Sequence, residues 1–202
     1  MHASNLTRLG FFLMLAGCAP TRHFDPKRPP ASPVELYVTH HSEIYLEKDS
    51  PAWKQLSAEE RAAHEEEGGV FQEVDDELLL QPRGPDQLAF CVHHYGRFLH
   101  ECQYSGIATR TGPNVFTYRE TYTNYSDELV ECAVQLAREQ TRIVFDELEP
   151  AATPGLRVDC RMYCGVHASL GDGMEFALTD RQTDPDIVTE AQDASHGCPL
   201  PR

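Results

Sequence analysis

Asp127 to Leu148 read DELVECAVQLAREQTRIVFDEL, and the fold class turns on this stretch. Its Glu, Leu, Ala, Gln and Arg residues favour helix. Its apolar residues also alternate strictly at Val130, Cys132, Val134 and Leu136, the period of a half-buried strand. Arg138-Glu139-Gln140 offers a turn, and Ile143-Val144-Phe145 offers a partner strand. Taken alone, the pattern leaves both conformations open.

The residues just upstream are less ambiguous. LAFCVHHYG, RFLHECQYSGIATRTG and NVFTYRETY, within 88–122, are three β-rich runs punctuated by glycine. Phe98, His100, Cys102 and Tyr104 share one face of the second run, and Phe116 and Tyr118 share a face of the third. Further upstream, Val34–Thr39 and Glu43–Leu46 read as two short strands joined near His40-His41-Ser42. Ser57-Ala-Glu-Glu60 is a capping box that opens a helix near residues 57–67, which Gly68-Gly69 stop. Val70 to Leu80 is strand-like, and Gly84-Pro85 marks a turn.

The chain has 202 residues and seven cysteines. One of the seven stands apart. Arg8, the apolar run Leu9–Ala16 and then Leu15-Ala16-Gly17-Cys18 look like the signal peptide and lipobox of a bacterial lipoprotein. Cys18 is then the lipidated residue, and two or more acyl chains on it make a stable membrane anchor. Ala19 and Pro20 follow it, with no Asp to retain the protein at the inner membrane. The expected location is the outer membrane, facing the periplasm or the cell surface. Residues 1–18 form the signal segment. Residues 19–33, with five prolines, form a stiff tether of roughly 45 Å at full extension. No run of 18 apolar residues suggests a transmembrane helix.

The remaining cysteines, Cys91, Cys102, Cys132, Cys160, Cys164 and Cys198, are even in number. In an oxidising compartment they read as three disulfides, among 15 possible pairings. The folded domain is expected to span 34–182. Residues 183–202 read as a loose acidic tail, with Cys198 placed to clip it back to the body.

Residues 102–165 carry a resemblance. The pattern is a cysteine on a strand followed by aromatic-x-Gly-x-Ala-x-Arg (Cys102, Tyr104, Gly106, Ala108, Arg110). It continues through Tyr118 and Cys132 to a closing Cys160-x₃-Cys164-Gly165. It resembles a small cysteine-stapled β-domain of bacterial envelope proteins, distantly similar to lysozyme-inhibitor lipoproteins. The likeness covers roughly 86–177, with His167 where an Arg is usual. It implies strands rather than helix for 127–148. It also implies pairing of Cys102 with Cys132 and of Cys160 with Cys164, which leaves Cys91 for Cys198. The fold class expected is mainly β (α+β), an antiparallel sheet or small barrel stapled by disulfides, with one helix.

The function expected is that of a non-enzymatic envelope lipoprotein that binds a partner. Acids outnumber bases 32 to 17, for a net charge of −15, and loss of Arg8 with the signal makes it −16. Such a surface repels nucleic acid and attracts cationic proteins such as lysozymes. Contact with other envelope proteins is the alternative partner class, besides the membrane reached through the lipid anchor. A further alternative is a hydrolase using His167 and Ser169. His167-Ala-Ser169-Leu-Gly171 has a faint likeness to a nucleophile elbow, but it lacks the strand-to-helix turn on a parallel sheet which that elbow needs. No catalytic residue, cofactor or metal is expected. His93, His94 and His100 lie on neighbouring strands, yet adjacent residues of a strand face opposite sides, so His93 and His94 cannot share one site. His40-His41 meets the same objection. Cys160-x₃-Cys164 reads as disulfide chemistry rather than half a zinc site.

Overall fold

Strict alternation prevails over helix propensity in the decisive stretch: residues 129–147 form a β-hairpin. A computed structural model describes residues 33–149, 151–164, 173–192 and 198–201. Cys18, the tether up to residue 32, and His167 and Ser169 lie outside the described residues.

The strands are β1 (Glu35–Glu47), β2 (Gly69–Pro82), β3 (Gln87–Gly96), β4 (His100–Gly112), β5 (Val115–Thr123), β6 (Leu129–Arg138), β7 (Arg142–Glu147), β8 (Met174–Ala177) and β9 (Arg181–Gln182). Two helices, α1 (Ala58–His64) and α2 (Pro185–Ala191), complete the regular elements among the described residues. The strands form one antiparallel sheet in the order β8-β7-β6-β5-β4-β3-β2-β1-β9. The sheet curls into a nearly closed barrel. Only the short turn Leu178–Asp180 separates β8 from β9, yet the two flank opposite ends of the strand order. The Thr39 hydroxyl of β1 also reaches the Glu175 carbonyl of β8 at 3.4 Å.

β1 is one continuous strand where two were expected. His40-His41-Ser42 pairs in register with Asp75, Val74 and Glu73, with no turn signal to interrupt it. The turns are local chemistry. Asn124 accepts from the backbone N–H groups of Ser126 and Glu128, shaping the β5–β6 turn. Asn114 takes positive φ in the β4–β5 turn, a conformation Asn tolerates. The capping box of α1 forms as read: Glu60 N–H donates to Ser57 Oγ at 3.1 Å, and Ser57 N–H donates to Glu60 Oε2 at 2.8 Å. The helix ends at His64, and the remaining residues turn toward Gly68 at φ +78.

The inner face of the barrel holds the main core. Tyr37, Leu78, Leu80, Phe90, Val92, Tyr104, Val134, Leu136, Phe145 and Phe176 are buried there. Phe90, Tyr104 and Tyr118 meet edge-to-face at 5.7 Å, a favourable geometry for the ring quadrupoles. Gly106 makes this possible, since a Cβ there would lie 2.7 Å from the Tyr118 ring. A second cluster, Leu36, Val38, Leu79, Cys91, Ala191 and Cys198, occupies the outer face beneath α2. Residues 183–192 and 198–201, expected within a loose tail, are therefore part of the body. Asp184 caps α2 by accepting from Asp186 N–H at 2.9 Å, Pro185 starts it, and Val188 and Ala191 pack inward. A net acidic composition hid that apolar stripe.

The disulfides are Cys91–Cys198, Cys102–Cys164 and Cys132–Cys160. The resemblance implied Cys102–Cys132 and Cys160–Cys164, and the structure corrects both. Cys102 is on β4 and Cys132 on β6, with β5 between them. Two strand spacings are roughly 10 Å, beyond the reach of a disulfide. Cys160 and Cys164 flank a single 3₁₀ turn, Arg161–Tyr163. That turn spans β5, delivering Cys160 to β6 and Cys164 to β4.

Candidate functional site

Alternation places every second residue of β1, β2 and β3 on the inner face, and along all three that face changes character: Asp76 and His94 are level, and His41 stands one inward position further along β1, opposite Val74. β2 runs Leu80, Leu78, Asp76; β3 runs Phe90, Val92, His94; β1 runs Tyr37, Thr39, His41. Apolar side chains give way there to an acid and two imidazoles.

Asp76 is the hub and is buried at 7% exposure. Its Oδ1 accepts from the Tyr95 backbone N–H at 3.0 Å. Its Oδ2 lies 2.8 Å from His94 Nδ1 and 3.7 Å from His41 Nδ1. The two imidazoles stack nearly parallel, with ring centroids 6.1 Å apart. His41 Nε2 is 3.3 Å from the Tyr95 carbonyl and 3.4 Å from Glu43 Oε1. One ligand atom from each of His41, Asp76 and His94 falls within 4.8 Å of the others.

The outer face at this end is acidic. Phe71, Glu73, Asp75 and Glu77 alternate along β2, and all but Glu77 are exposed. His40 pairs with Asp75, which holds the imidazole's proton affinity above its usual value, and Ser42 donates to Glu73. His93 lies 3.6 Å from Glu101 on β4. Burial pushes the Glu77 carboxyl up, and Glu77 Oε2 has no hydrogen-bond partner among the described residues. Together Glu73, Asp75, Glu77, His93 and Tyr95 line an open depression of about 320 Å³. Phe71, 43% exposed, continues the outer stripe of β2 beyond Glu73. α2 covers the other half of this outer face and reaches Glu77, while Phe71, Glu73 and Asp75 are exposed among the described residues.

The opposite end of the barrel is apolar. Leu80, Leu88, Phe116, Leu136 and Ile143 line a pocket of about 230 Å³. The cations at its rim are occupied. Arg110 lies over the Phe116 ring at 4.7 Å and donates to the Pro85 carbonyl. Arg138 pairs with Glu35 at 3.1 Å.

Two other buried carboxylates serve the architecture. Glu131 takes Arg119 together with the backbone N–H groups of Ala152 and Thr153, tying the 150s loop to β6. Asp159 is gripped by Arg161 and Arg157, which hold its carboxyl down at about 2.

The six body cysteines all sit in disulfides. Of the histidines weighed in sequence, His94 joins His41, not His93 or His100, and the opposite facings of His93 and His94 are as strand geometry requires. Sequence reading missed Asp76. The available signal was parity: an acid on the same alternation as Leu78 and Leu80, inside a strand otherwise buried on that face.

Among the described residues no helix is long and apolar enough to cross a membrane. The chain matches no family model, no curated protein and no solved structure.

Proposed function

We propose that this protein is a lipid-anchored component of the bacterial outer membrane that binds a cationic protein partner, without catalysis of its own. The acidic outer face of β1, β2 and β3 is the docking surface. The observation that carries the reading is the stripe Phe71, Glu73 and Asp75, exposed among the described residues, with the half-buried Glu77 next along the strand beside α2. Interfaces enriched in aromatics and complementary in charge gain encounter rate and register from that arrangement. The net charge of −15 acts in the same direction at longer range. Cys18 supplies the anchor, and β1 begins at Glu35, on the rim of the apolar pocket.

The test uses a cationic c-type lysozyme as probe. Wild-type protein is expected to bind it at low salt and release it at high salt, and Glu73→Gln with Asp75→Asn together is expected to weaken binding. Lysozyme that keeps full muramidase activity and shows no association at low salt removes the inhibitor form of the proposal. A second reading, a structural lipoprotein held by other envelope proteins, is favoured by the exposed Tyr125, Leu129 and Met162 near the β5–β6 turn. Cross-linking from that turn in intact cells distinguishes the two surfaces.

A further inference from the structure

We propose that His41, Asp76 and His94 form a binding site for a divalent transition metal of the zinc class. The inference starts from protons. His41 Nε2 faces only acceptors, the Tyr95 carbonyl at 3.3 Å and Glu43 Oε1 at 3.4 Å, so Nε2 carries a hydrogen. In the neutral ring Nδ1 then holds a lone pair, and it faces the Asp76 carboxylate oxygen. Two acceptors aimed at one another repel. Their separation of 3.7 Å exceeds a hydrogen bond, but it suits two ligands on one ion at about 2.1 Å from each. A cation between them resolves the conflict: a proton on Nδ1 would draw the two atoms to hydrogen-bond distance, whereas a metal ion fits the observed 3.7 Å.

The surroundings match what a metal-binding imidazole needs. Glu43 or the Tyr95 carbonyl fixes the His41 tautomer through Nε2–H, the usual partner of a coordinating histidine. Asp76 is oriented by the Tyr95 N–H on its other oxygen. His94 completes the set when its hydrogen shifts from Nδ1 to Nε2 by way of solvent, which frees the Nδ1 lone pair for the metal and leaves the ring neutral. The ligand atoms lie within 4.8 Å, so small side-chain rotations gather them. Three strands of one sheet supply the ligands, which makes the frame rigid. Two imidazole nitrogens and one carboxylate suit zinc, with copper and nickel as competitors and calcium or magnesium disfavoured. Three protein ligands leave a coordination position for water or for a partner's side chain.

The test is metal uptake by the intact, disulfide-bonded chain. Equilibrium dialysis against zinc is expected to give one tight equivalent per chain, with cobalt giving the visible absorption of a low-coordinate site. His41→Gln and His94→Gln are each expected to weaken zinc at least about tenfold. His40→Gln and His93→Gln, on the outer face, are expected to leave it unchanged. Where a variant folds poorly, acylation of histidines in the wild type replaces it: zinc is expected to protect His41 and His94 but not His40 and His93. Absence of uptake, uptake undiminished by loss of His41 and His94, or protection of the outer histidines instead would overturn the assignment.

Discussion

The two ends of the barrel are built from the same strands and differ in what the inner stripe carries. At one end Leu80, Leu88, Leu136 and Ile143 continue the core to the rim, and the arginines there are already paired. At the other, Asp76, His41 and His94 replace them, and the outer face beside them is acidic and, at Glu73 and Asp75, exposed. Apolar burial reaches the rim at the first end, and α2 with the Cys91–Cys198 disulfide covers part of the outer face. Chemistry and recognition are assigned to the second. A strand can thus serve a core and a site within a few residues, because each step of two keeps the face while the residue type changes.

The largest expected effect is on the covered outer face. Cys91→Ala with Cys198→Ala removes a cross-link spanning 107 residues and should cost about 4 kcal/mol, read by urea denaturation, with α2 released to protease. Next, Leu136→Ala at the apolar end should cost about 3 kcal/mol. His41→Gln at the polar end should cost less than about 1 kcal/mol. Equal losses at the two ends would break the contrast.

Acid sensitivity should follow Asp159, gripped by Arg157 and Arg161 in the loop along β6. Asp159 has a folded-state pKa of about 2, below its unfolded value near 4. Its contribution is therefore full above the unfolded pKa and disappears as the pH falls through about 2. Thermal melts from pH 5 to pH 2 should show that loss, and Asp159→Asn should flatten it while lowering stability at neutral pH. The smallest effect has the opposite sign. Burial raises the Glu77 carboxyl, so ionisation costs the fold as pH rises from the unfolded toward the folded pKa. Glu77→Gln should raise stability at pH 7 by about 1 kcal/mol or less. A loss there would show that the charged form is satisfied by contacts other than those described.

Much of the fold was legible because it rests on local chemistry. Alternation at Val130 to Leu136, the Ser57–Glu60 box and the turn residues each name their own structure. What escaped depended on distance. Disulfide partners follow strand order in the sheet, which spacing does not encode, and so Cys102 meets Cys164 rather than Cys132. α2 was hidden because its few inward residues are diluted by acids. The His41, Asp76 and His94 cluster joins residues from three strands, and only the register of β1 on β2 and of β2 on β3 brings them near one another. Parity alone separates His94 from His93, and no local pattern marks His41 as its neighbour.

The division between the two ends is tested most directly by chemical-shift mapping of the isotopically labelled body, titrated with zinc and then with a cationic lysozyme. The account predicts that shifts concentrate in residues 40–47, 71–77 and 93–96, with zinc moving the inner-facing positions and lysozyme the outer-facing ones. Shifts gathered instead at residues 80–88, 110–116 and 136–143 would contradict it, as would none at all with either probe.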